Sequence, residues 1–222
     1  MRLRNRIENC VIDGFLWSGI EISSGYYNFI TQNFIRNNRV GITIDKTSTS
    51  AYINNNEIRT NALGILIQDQ SYANFVNNNM IEANISNFLE ENENKGSGIL
   101  LQNTSNNFIQ NNYFEQHFTN IALNNTNNNE ISSNFMAIGD LMPDNSKNQL
   151  VIKFQGEIKN NRIIGNQTMG TNPQINNTKM IVPQGDFSSN YIDFGKEKNN
   201  AVKSEFLQKG LNTNSLPQIP AF

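Results

Sequence analysis

One phrase returns along almost the whole chain: an apolar residue, two spacers, an asparagine, a spacer and a second apolar residue. Its copies centre on Asn33, Asn56, Asn79, Asn112, Asn134, Asn161 and Asn190. In three copies Gly-Ile-x-Ile or Gly-Ile-x-Leu follows, starting at Gly41, Gly64 and Gly98. A fixed period this short indicates stacked supersecondary units, each burying its apolar side chains against its neighbours.

The apolar positions of the phrase are mainly Ile, Val and Phe, which favour strands. Each strand is too short to bury a face alone, so we expect a coil in which each strand lies on its equivalent in the next turn, about 4.8 Å away. Two interior columns are predicted: Ile30, Ile53, Val76, Ile109, Ile131, Ile158, and Ile35, Ile58, Ile81, Phe114, Met136, Ile163.

Asparagine supplies 43 of the 222 residues. We expect the asparagine of each phrase to lie at a corner, because it tolerates left-handed backbone geometry. Its amide can hydrogen-bond to the same residue in the turns above and below. The glycines Gly41, Gly64 and Gly98 are predicted to form the next corner.

The pattern resembles the right-handed parallel β-helix of the pectate-lyase-like superfold, in its Asn-rich variants. The resemblance implies an all-β solenoid of about eight coils over residues 1–195. Residues 196–222 are predicted to form a C-terminal cap and tail, with a short helix over 199–210 that has an asparagine cap and a glycine stop. Such a cap would cover the open strand edges of the last coil.

Charge and hydropathy argue against several classes of partner. The formal net charge is −2 and no large basic cluster is present, so nucleic acid is not an expected partner. No apolar run is long enough to span a membrane, and the N-terminus has no apolar secretory region. Because the chain begins within a repeat unit, we expect it to be the C-terminal part of a larger protein. The single cysteine, Cys10, is expected in the core.

Extra residues enter the repeat over 85–97, 137–147 and 167–177. Each insertion is predicted to lie between the second strand of its coil and the following Gly-Ile strand. They would then project from one side of the solenoid, where insertions commonly line a binding face. Neutral variation at a tolerant corner is the alternative.

A column of charged residues is predicted beside that edge, on the outside of the coil: Arg36, Arg59, Glu82 and Glu115. Two carboxyl groups on consecutive rungs suit retaining glycoside hydrolysis and would push each other's pKa values apart. His117 replaces a corner asparagine and is the candidate proton shuttle or general base. The alternative is an ordinary surface, with an Arg59–Glu82 ion pair worth under about 1 kcal/mol and a histidine that only continues the amide column. Further carboxylates are Asp45, Asp69, Glu90, Glu91, Glu93, Asp140 and Asp144.

A second outer column is aromatic: Phe29, Tyr52, Phe75 and Phe108. Alternation along a strand turns these side chains outward, together with Leu66, Leu100 and Ala122 of the Gly-Ile strands. An exposed apolar stripe indicates a subunit interface, a platform for sugar rings, or a surface covered by a loop.

Asn-rich coils of this kind also resemble viral tail-spike proteins. That resemblance implies a homotrimer at the virion tail that binds or cleaves a capsular or lipopolysaccharide glycan of the bacterial surface. Glu82, Glu115 and His117 are then the candidate catalytic residues, and Arg36, Arg59 and the aromatic column are the candidate substrate-binding residues. A non-catalytic adhesin or tail-fibre module and a secreted pectate-type lyase are the alternatives. No cofactor is predicted, and no metal site, because the carboxylates show no calcium-ligand spacing.

Overall fold

The computed structural model describes residues 4–85, 96–138, 150–170, 179–182 and 189–193. These residues form 22 strands in three parallel sheets. The first sheet contains β1 (Arg6–Glu8), β4 (Phe29–Thr31), β7 (Tyr52–Asn54), β10 (Phe75–Asn77), β13 (Phe108–Gln110), β16 (Glu130–Ser132), β19 (Arg162–Ile164) and β22 (Tyr191–Asp193). The second contains β2 (Val11–Asp13), β5 (Phe34–Arg36), β8 (Glu57–Arg59), β11 (Met80–Glu82), β14 (Tyr113–Glu115), β17 (Phe135–Ile138) and β20 (Gln167–Gly170). The third contains β3 (Ser18–Ser23), β6 (Val40–Asp45), β9 (Leu63–Ile67), β12 (Ser97–Gln102), β15 (Thr119–Asn127), β18 (Leu150–Lys159) and β21 (Lys179–Val182).

The chain visits the three sheets in turn, so each coil adds one strand to each sheet. Ile53 pairs in register with Ile30 on one side and Val76 on the other, as the repeat predicts. The first sheet has eight strands, in agreement with about eight coils, and the predicted parallel β-helix is confirmed. The predicted helix and cap over 196–222 lie outside the described residues.

The interior is a continuous stack of aliphatic side chains, and most of the two predicted columns are confirmed. Ile30, Ile53, Val76, Ile109 and Ile131 follow one another in the first sheet, and Ile35, Ile58, Ile81, Phe114 and Met136 do so in the second. All ten are buried. Shape complementarity between identical rungs gives this core the close packing expected of a protein interior.

The last predicted members of both columns are wrong. Ile163 pairs with Ile131 and so extends the first column, whereas Ile158 lies in β18 opposite Thr126 of the third sheet. The physical reason is that each coil buries asparagines at more than one corner, and Asn161 lies at the corner of Asn129 and not at that of Asn134. The residue that follows Asn134 in its column is Asn166, so Gln167–Gly170, assigned to an insertion, is a strand of the second sheet.

The corners are made differently from the prediction. The left-handed residue is the one that precedes the asparagine of the phrase, such as Gln32 (φ 58°), Asn55 (φ 57°) and Asn78 (φ 56°). The predicted glycine corner is also wrong, because Gly41 and Gly64 lie within strands of the third sheet. A Cβ atom added to Gly41 would lie 2.6 Å from the carbonyl oxygen of Gly64, so close packing of successive coils explains this glycine column.

The asparagines of the phrase form the predicted hydrogen-bonded ladder. Asn56 Nδ2 donates to Asn79 Oδ1 at 3.0 Å, and Asn79 Nδ2 donates to Asn112 Oδ1 at 3.0 Å. Each Oδ1 also accepts from the backbone N–H of the preceding rung, as Asn79 Oδ1 does from Asn56 at 2.9 Å. We name this the second ladder, and its members are Asn33, Asn56, Asn79, Asn112, Asn134 and Asn166.

Two further ladders lie at the other corners. The first ladder, where each coil enters the first sheet, contains Asn74, Asn107, Asn129, Asn161 and Asn190. The third ladder, between the second and third sheets, contains Asn38, Asn61, Asn84 and His117. All these side chains are buried and hydrogen-bonded, which removes the usual cost of burying an amide.

Candidate functional site

The predicted charged column lies on the outer face of the second sheet. Arg36, Arg59, Glu82 and Glu115 occupy consecutive rungs in register. Glu115 accepts a hydrogen bond of 2.7 Å from the Tyr113 hydroxyl group. Burial, this hydrogen bond and the charges of Glu115 and Glu82 raise the pKa of Tyr113 to about 12. The structure therefore brings the two predicted catalytic carboxylates together, and paired catalysis by them stays a prediction.

The two arginines of this column are engaged with other side chains. Arg36 Nε donates to Asp13 Oδ2 at 2.8 Å, and Arg59 forms an ion pair with Glu57 of its own strand at 3.2 Å, rather than with Glu82. Both guanidinium groups also lie over the ring of Phe34, at 4.9 Å and 5.0 Å from its centroid. A substrate would have to displace these contacts to bind either arginine.

His117 does not accompany the carboxylates on the outer face. Its side chain is 2% exposed and lies in the third ladder, where Asn84 Nδ2 is 3.1 Å from Nε2 and Asn120 Oδ1 is 3.1 Å from Nδ1. The amide donor of Asn84 requires Nε2 to accept, so Nδ1 carries the proton. Burial lowers the pKa of His117 to about 4. A neutral, enclosed imidazole with both nitrogens engaged suits the structural alternative and not a proton shuttle.

The aromatic column forms a continuous stack on the outside of the first sheet. Successive ring centroids of Phe29, Tyr52, Phe75 and Phe108 are 5.2, 4.9 and 5.0 Å apart, and the planes differ by only 6–7°. The guanidinium of Arg6 lies over Phe29 at 5.5 Å and covers the face at that end. Because the ring faces contact one another, the stack presents ring edges outward. The faces between these rings are therefore covered, and the binding of sugar rings by this column stays a prediction.

The outer face of the third sheet carries a groove of about 410 Å³. Its floor includes the outward side chains Leu63, Leu66 and Leu100, part of a second apolar cluster. Leu100 and Ala122 had been expected to be exposed, but each is only 3% exposed. Val40 adds to the apolar lining, and the remaining lining residues are polar or aromatic: Trp17, Ser18, Glu21, Arg39, Thr43, Asp45, Gln68 and Gln102.

Trp17 forms one wall of this groove and is 70% exposed. The guanidinium of Arg39 lies 4.5 Å from the centroid of its ring. A cation on one face fixes the orientation of an indole and leaves much of its surface in solvent. Unlike the stacked aromatic column, Trp17 therefore presents an accessible ring to a ligand.

Acids and amides line the rest of the groove. Asp45 follows the inward Ile44 and precedes the corner, and the equivalent positions in the next coils are Gln68 and Gln102. Asp45 is 8% exposed, and its Oδ1 has no hydrogen-bond donor among the described residues. Glu21 lies on the adjacent strand and is exposed.

Sequence reasoning did not identify this groove as the site, although it named Asp45 as one of several carboxylates. Trp17 lies just before the first Gly-Ile strand, outside the repeated phrase. The signal that was available is the outward position between the two inward residues of each Gly-Ile strand. Across four coils that position is Glu21, Thr43, Leu66 and Leu100, which changes from charged to apolar along the axis.

The other predicted carboxylates divide into two groups. Asp69 is exposed outside the groove, whereas Glu90, Glu91, Glu93, Asp140 and Asp144 lie outside the described residues, as do most of the predicted insertions. Within the described ranges, no three His, Cys, Asp or Glu side chains are grouped so that they could hold a metal ion. The same ranges contain no helix long and apolar enough to cross a membrane. Cys10 is exposed, so its predicted place in the core is wrong.

Comparison with solved structures finds chains that are similar to this one. A DFA-IIIase from Arthrobacter chlorophenolicus A6 in complex with GF2 aligns with a TM-score of 0.50 at 11% identity, covering 81% of this chain and 56% of that one. An alginate lyase from Paenibacillus sp. str. FPU-7 aligns with a TM-score of 0.40 at 14% identity, covering 82% and 79%. The chain thus spans about half of the DFA-IIIase chain.

No curated protein sequence matches the chain. A family model does match, over residues 3–136, which is more than half of the 222 residues, and it describes a right-handed β-helix region. The three parallel sheets and the match agree, and the chain belongs to the right-handed β-helix family.

Proposed function

We propose that this protein binds a polysaccharide of the bacterial surface in the groove of the third sheet, as the β-helical part of a tail-spike-like protein. The observation that carries the proposal is the combination in one groove of an exposed tryptophan, an apolar floor, two acids and two amides. Ligand sites of this kind pair apolar contact area with a few placed polar groups.

A sugar ring matches these groups chemically. Its axial C–H groups form an apolar face that can lie on Trp17 or the leucine floor, and its hydroxyl groups can hydrogen-bond to Gln68, Gln102 and the acids. The solved neighbours with this fold are a DFA-IIIase and an alginate lyase, and at 11–14% identity that likeness supports the fold alone. The proposal therefore depends on the groove itself.

Trp17→Ala tests the binding site. We expect the variant to lose at least about tenfold in affinity for bacterial capsular polysaccharide measured by calorimetry, because it removes the accessible ring. Leu16→Ala is a matched control, since Leu16 is 80% exposed next to Trp17 but does not line the groove. Equal affinity of the Trp17→Ala variant and the wild type would overturn the proposed site.

Cleavage is the second part of the proposal, with Glu82 and Glu115 as nucleophile and acid. Strands on consecutive rungs lie about 4.8 Å apart, which brings two outward carboxyl groups within the range for a retaining mechanism. Glu82→Gln and Glu115→Gln are each expected to abolish the release of reducing ends from capsule. Glu8→Gln, on the first sheet, is the control for a lost surface carboxylate. Full activity in both variants would contradict this pair.

A non-catalytic adhesin or tail-fibre module is the second candidate. It is favoured by the burial of His117, which leaves the Glu82–Glu115 column without the proton shuttle that was expected beside it. The two candidates differ in the capsule assay, because an adhesin binds the polysaccharide without releasing reducing ends.

The spike model also includes a homotrimer that acts at the virion tail, outside the cell. The edges of the aromatic stack are the candidate subunit contact, since they line the outside of the first sheet. Light scattering is expected to give the mass of three chains. A monomer at micromolar concentration would contradict the trimer while leaving the groove to be judged by its own test.

A further inference from the structure

Asp45 is the unusual polar group of the groove. Buried asparagines of the ladders have partners on both sides, whereas Oδ1 of Asp45 has no donor in the described part of the chain. The other described buried side-chain atoms in this condition belong to neutral residues: Asn54, Ser71 and Asn77. A buried carboxylate oxygen without a donor is costly, so this group calls for a specific explanation.

Among the described residues, none of the donors that line the groove reaches Oδ1 of Asp45. Its carboxylate lies in the same outward column as Gln68 and Gln102, and diagonally across from Glu21, which pairs with Thr43. Strand spacing and rise place the backbones of Glu21 and Asp45 roughly 8 Å apart. Arg39 is the one cation among the described lining residues, and its guanidinium lies over Trp17. Two acids against one arginine give the groove a negative potential.

That potential discriminates between classes of polysaccharide. A sugar hydroxyl group can donate to a carboxylate, but the carboxylate of a uronic acid cannot and is repelled by it. Removing a buried charge from water also strengthens such repulsion, since the local dielectric constant is lower. Asp45 lines the groove, and its buried Oδ1 has no donor among the described residues, so this carboxylate favours a ligand that brings a donor and no negative charge.

We propose that Asp45 accepts a hydrogen bond from a sugar hydroxyl group, and that the groove selects an uncharged glycan over a polyuronate. The inference rests on the proposed function and names its substrate class. Rotation of the carboxylate about its terminal torsion is soft and exchanges the two oxygens, so a ligand in the groove can meet either one. Asp45 is a binding residue in this proposal, with no part in bond cleavage.

Trp17 provides the probe, because it is the only tryptophan of the chain and it lines the groove. Its fluorescence is titrated with neutral hexasaccharides of glucose, mannose and galactose, and with hexagalacturonate, at low salt. We expect at least one neutral hexasaccharide to change the emission, and to bind about tenfold or more tightly than hexagalacturonate.

Two substitutions at Asp45 separate charge from hydrogen bonding. Asp45→Ala is expected to weaken the neutral ligand about tenfold, because the acceptor is lost. Asp45→Asn keeps an acceptor oxygen without the charge. It is therefore expected to bind the neutral ligand as the wild type does, and to show a smaller difference in affinity between that ligand and hexagalacturonate. Asp69→Asn, which removes an exposed carboxylate outside the groove, is the matched control. Circular dichroism melting confirms that each variant is folded.

The outcomes distinguish the two proposals. Tighter binding of hexagalacturonate than of any neutral hexasaccharide overturns the substrate class but leaves a glycan site in the groove. Unchanged neutral affinity in the folded Asp45→Ala variant overturns the role of Asp45. If no oligosaccharide affects Trp17, and Trp17→Ala binds capsule as the wild type does, the groove is not the site and both proposals fail.

Discussion

The inside of the coil and the groove of the third sheet treat polar groups in opposite ways. Asn79, inside, donates to Ile53 O at 2.9 Å and to Asn112 Oδ1 at 3.0 Å, and its own Oδ1 accepts from Asn56. Asp45, in the groove, is also buried, at 8% exposed, but has an oxygen without a donor among the described residues. Repetition satisfies the first group, because every rung supplies the partner of the next. Asp45 is not part of a repeated ladder, so its carboxylate stays available for a ligand.

This comparison predicts where substitutions reduce stability and where they reduce only binding. Interior changes should lower the free energy of unfolding, since each leaves a buried group on the adjacent rung without its partner. Changes in the groove should leave the free energy of unfolding nearly unaltered. A binding group of this kind can even lower stability in the absence of ligand.

Asn79→Ala is expected to have the largest effect, a loss of about 4 kcal/mol in the free energy of unfolding. The substitution removes the acceptor for the Asn56 backbone N–H and side-chain amide. It also removes the donor to Ile53 O and Asn112 Oδ1. Each of these groups costs about 1–3 kcal/mol if it is left buried and unpaired. Urea denaturation measures the change.

Asn77→Ala is the control for this substitution. Asn77 is half-buried two residues away, and its Oδ1 has no donor among the described residues. Its removal should change the free energy of unfolding by less than about 1 kcal/mol. Similar losses for Asn77→Ala and Asn79→Ala would show that the ladder adds nothing specific to stability.

His117→Asn should change the pH dependence of stability. The folded-state pKa of about 4 lies below the usual 6.5, so the unfolded chain binds more protons between these values. His117 therefore contributes its full stability above about pH 6.5, and this contribution is lost as the pH falls towards 4. The lowering of the His117 pKa corresponds to at most about 3 kcal/mol in the free energy of unfolding.

The asparagine variant continues the amide ladder and has no group that titrates at this position. Urea unfolding at pH 7 and at pH 4.5 should give a wild type that loses more stability on acidification than His117→Asn. Parallel losses in the two proteins would contradict burial of a neutral imidazole. Loss of capsule cleavage in His117→Asn with unchanged stability would restore the proton-shuttle hypothesis.

Gly64→Ala tests the close approach of coils. An added Cβ atom would contact the Gly98 carbonyl oxygen, which is backbone and cannot turn away, so we expect a loss of about 2 kcal/mol. Gly14→Ala is the contrasting variant, because its Cβ would meet no atom within 4 Å but its φ of 83° is unfavourable for alanine. The melting temperature of Gly64→Ala should therefore be lower than that of Gly14→Ala. The opposite order would mean that backbone conformation matters more than coil spacing.

The sequence was sufficient for the coil and its main columns, because those features recur. Ile53, Ile58 and Asn56 are interpretable from a single period, and the other coils confirm them. The predicted register was wrong at Ile158 and Ile163, where the spacing between copies of the phrase changes. Each coil places asparagines at more than one corner, so Ile158-x-x-Asn161-x-Ile163 fits the phrase equally well at the first ladder, where the structure places it.

The candidate site was harder to predict for a related reason. The groove depends on diagonal neighbours such as Glu21 and Asp45 and on Trp17, which belongs to no repeated position. Outward columns were identified correctly, but their accessibility was not. The ring faces of Phe29 and Tyr52 are covered by stacking, and Leu100 is buried, although alternation correctly turned all three outward.

Tyr113→Phe is expected to have the smallest effect on stability, because it changes a hydrogen bond on the outer face of the second sheet. The substitution removes the hydroxyl donor to Glu115 and keeps the ring, which stacks on Phe135 with centroids 5.7 Å apart. Because the pair is partly exposed, urea unfolding should change by less than about 1 kcal/mol. If Glu115 is the catalytic acid, the Tyr113 hydroxyl group orients its carboxyl group, and loss of this hydrogen bond is expected to lower the rate of capsule cleavage. An unchanged rate of capsule cleavage in the Tyr113→Phe variant would argue against Glu115 as the acid and favour the groove as a site of binding alone.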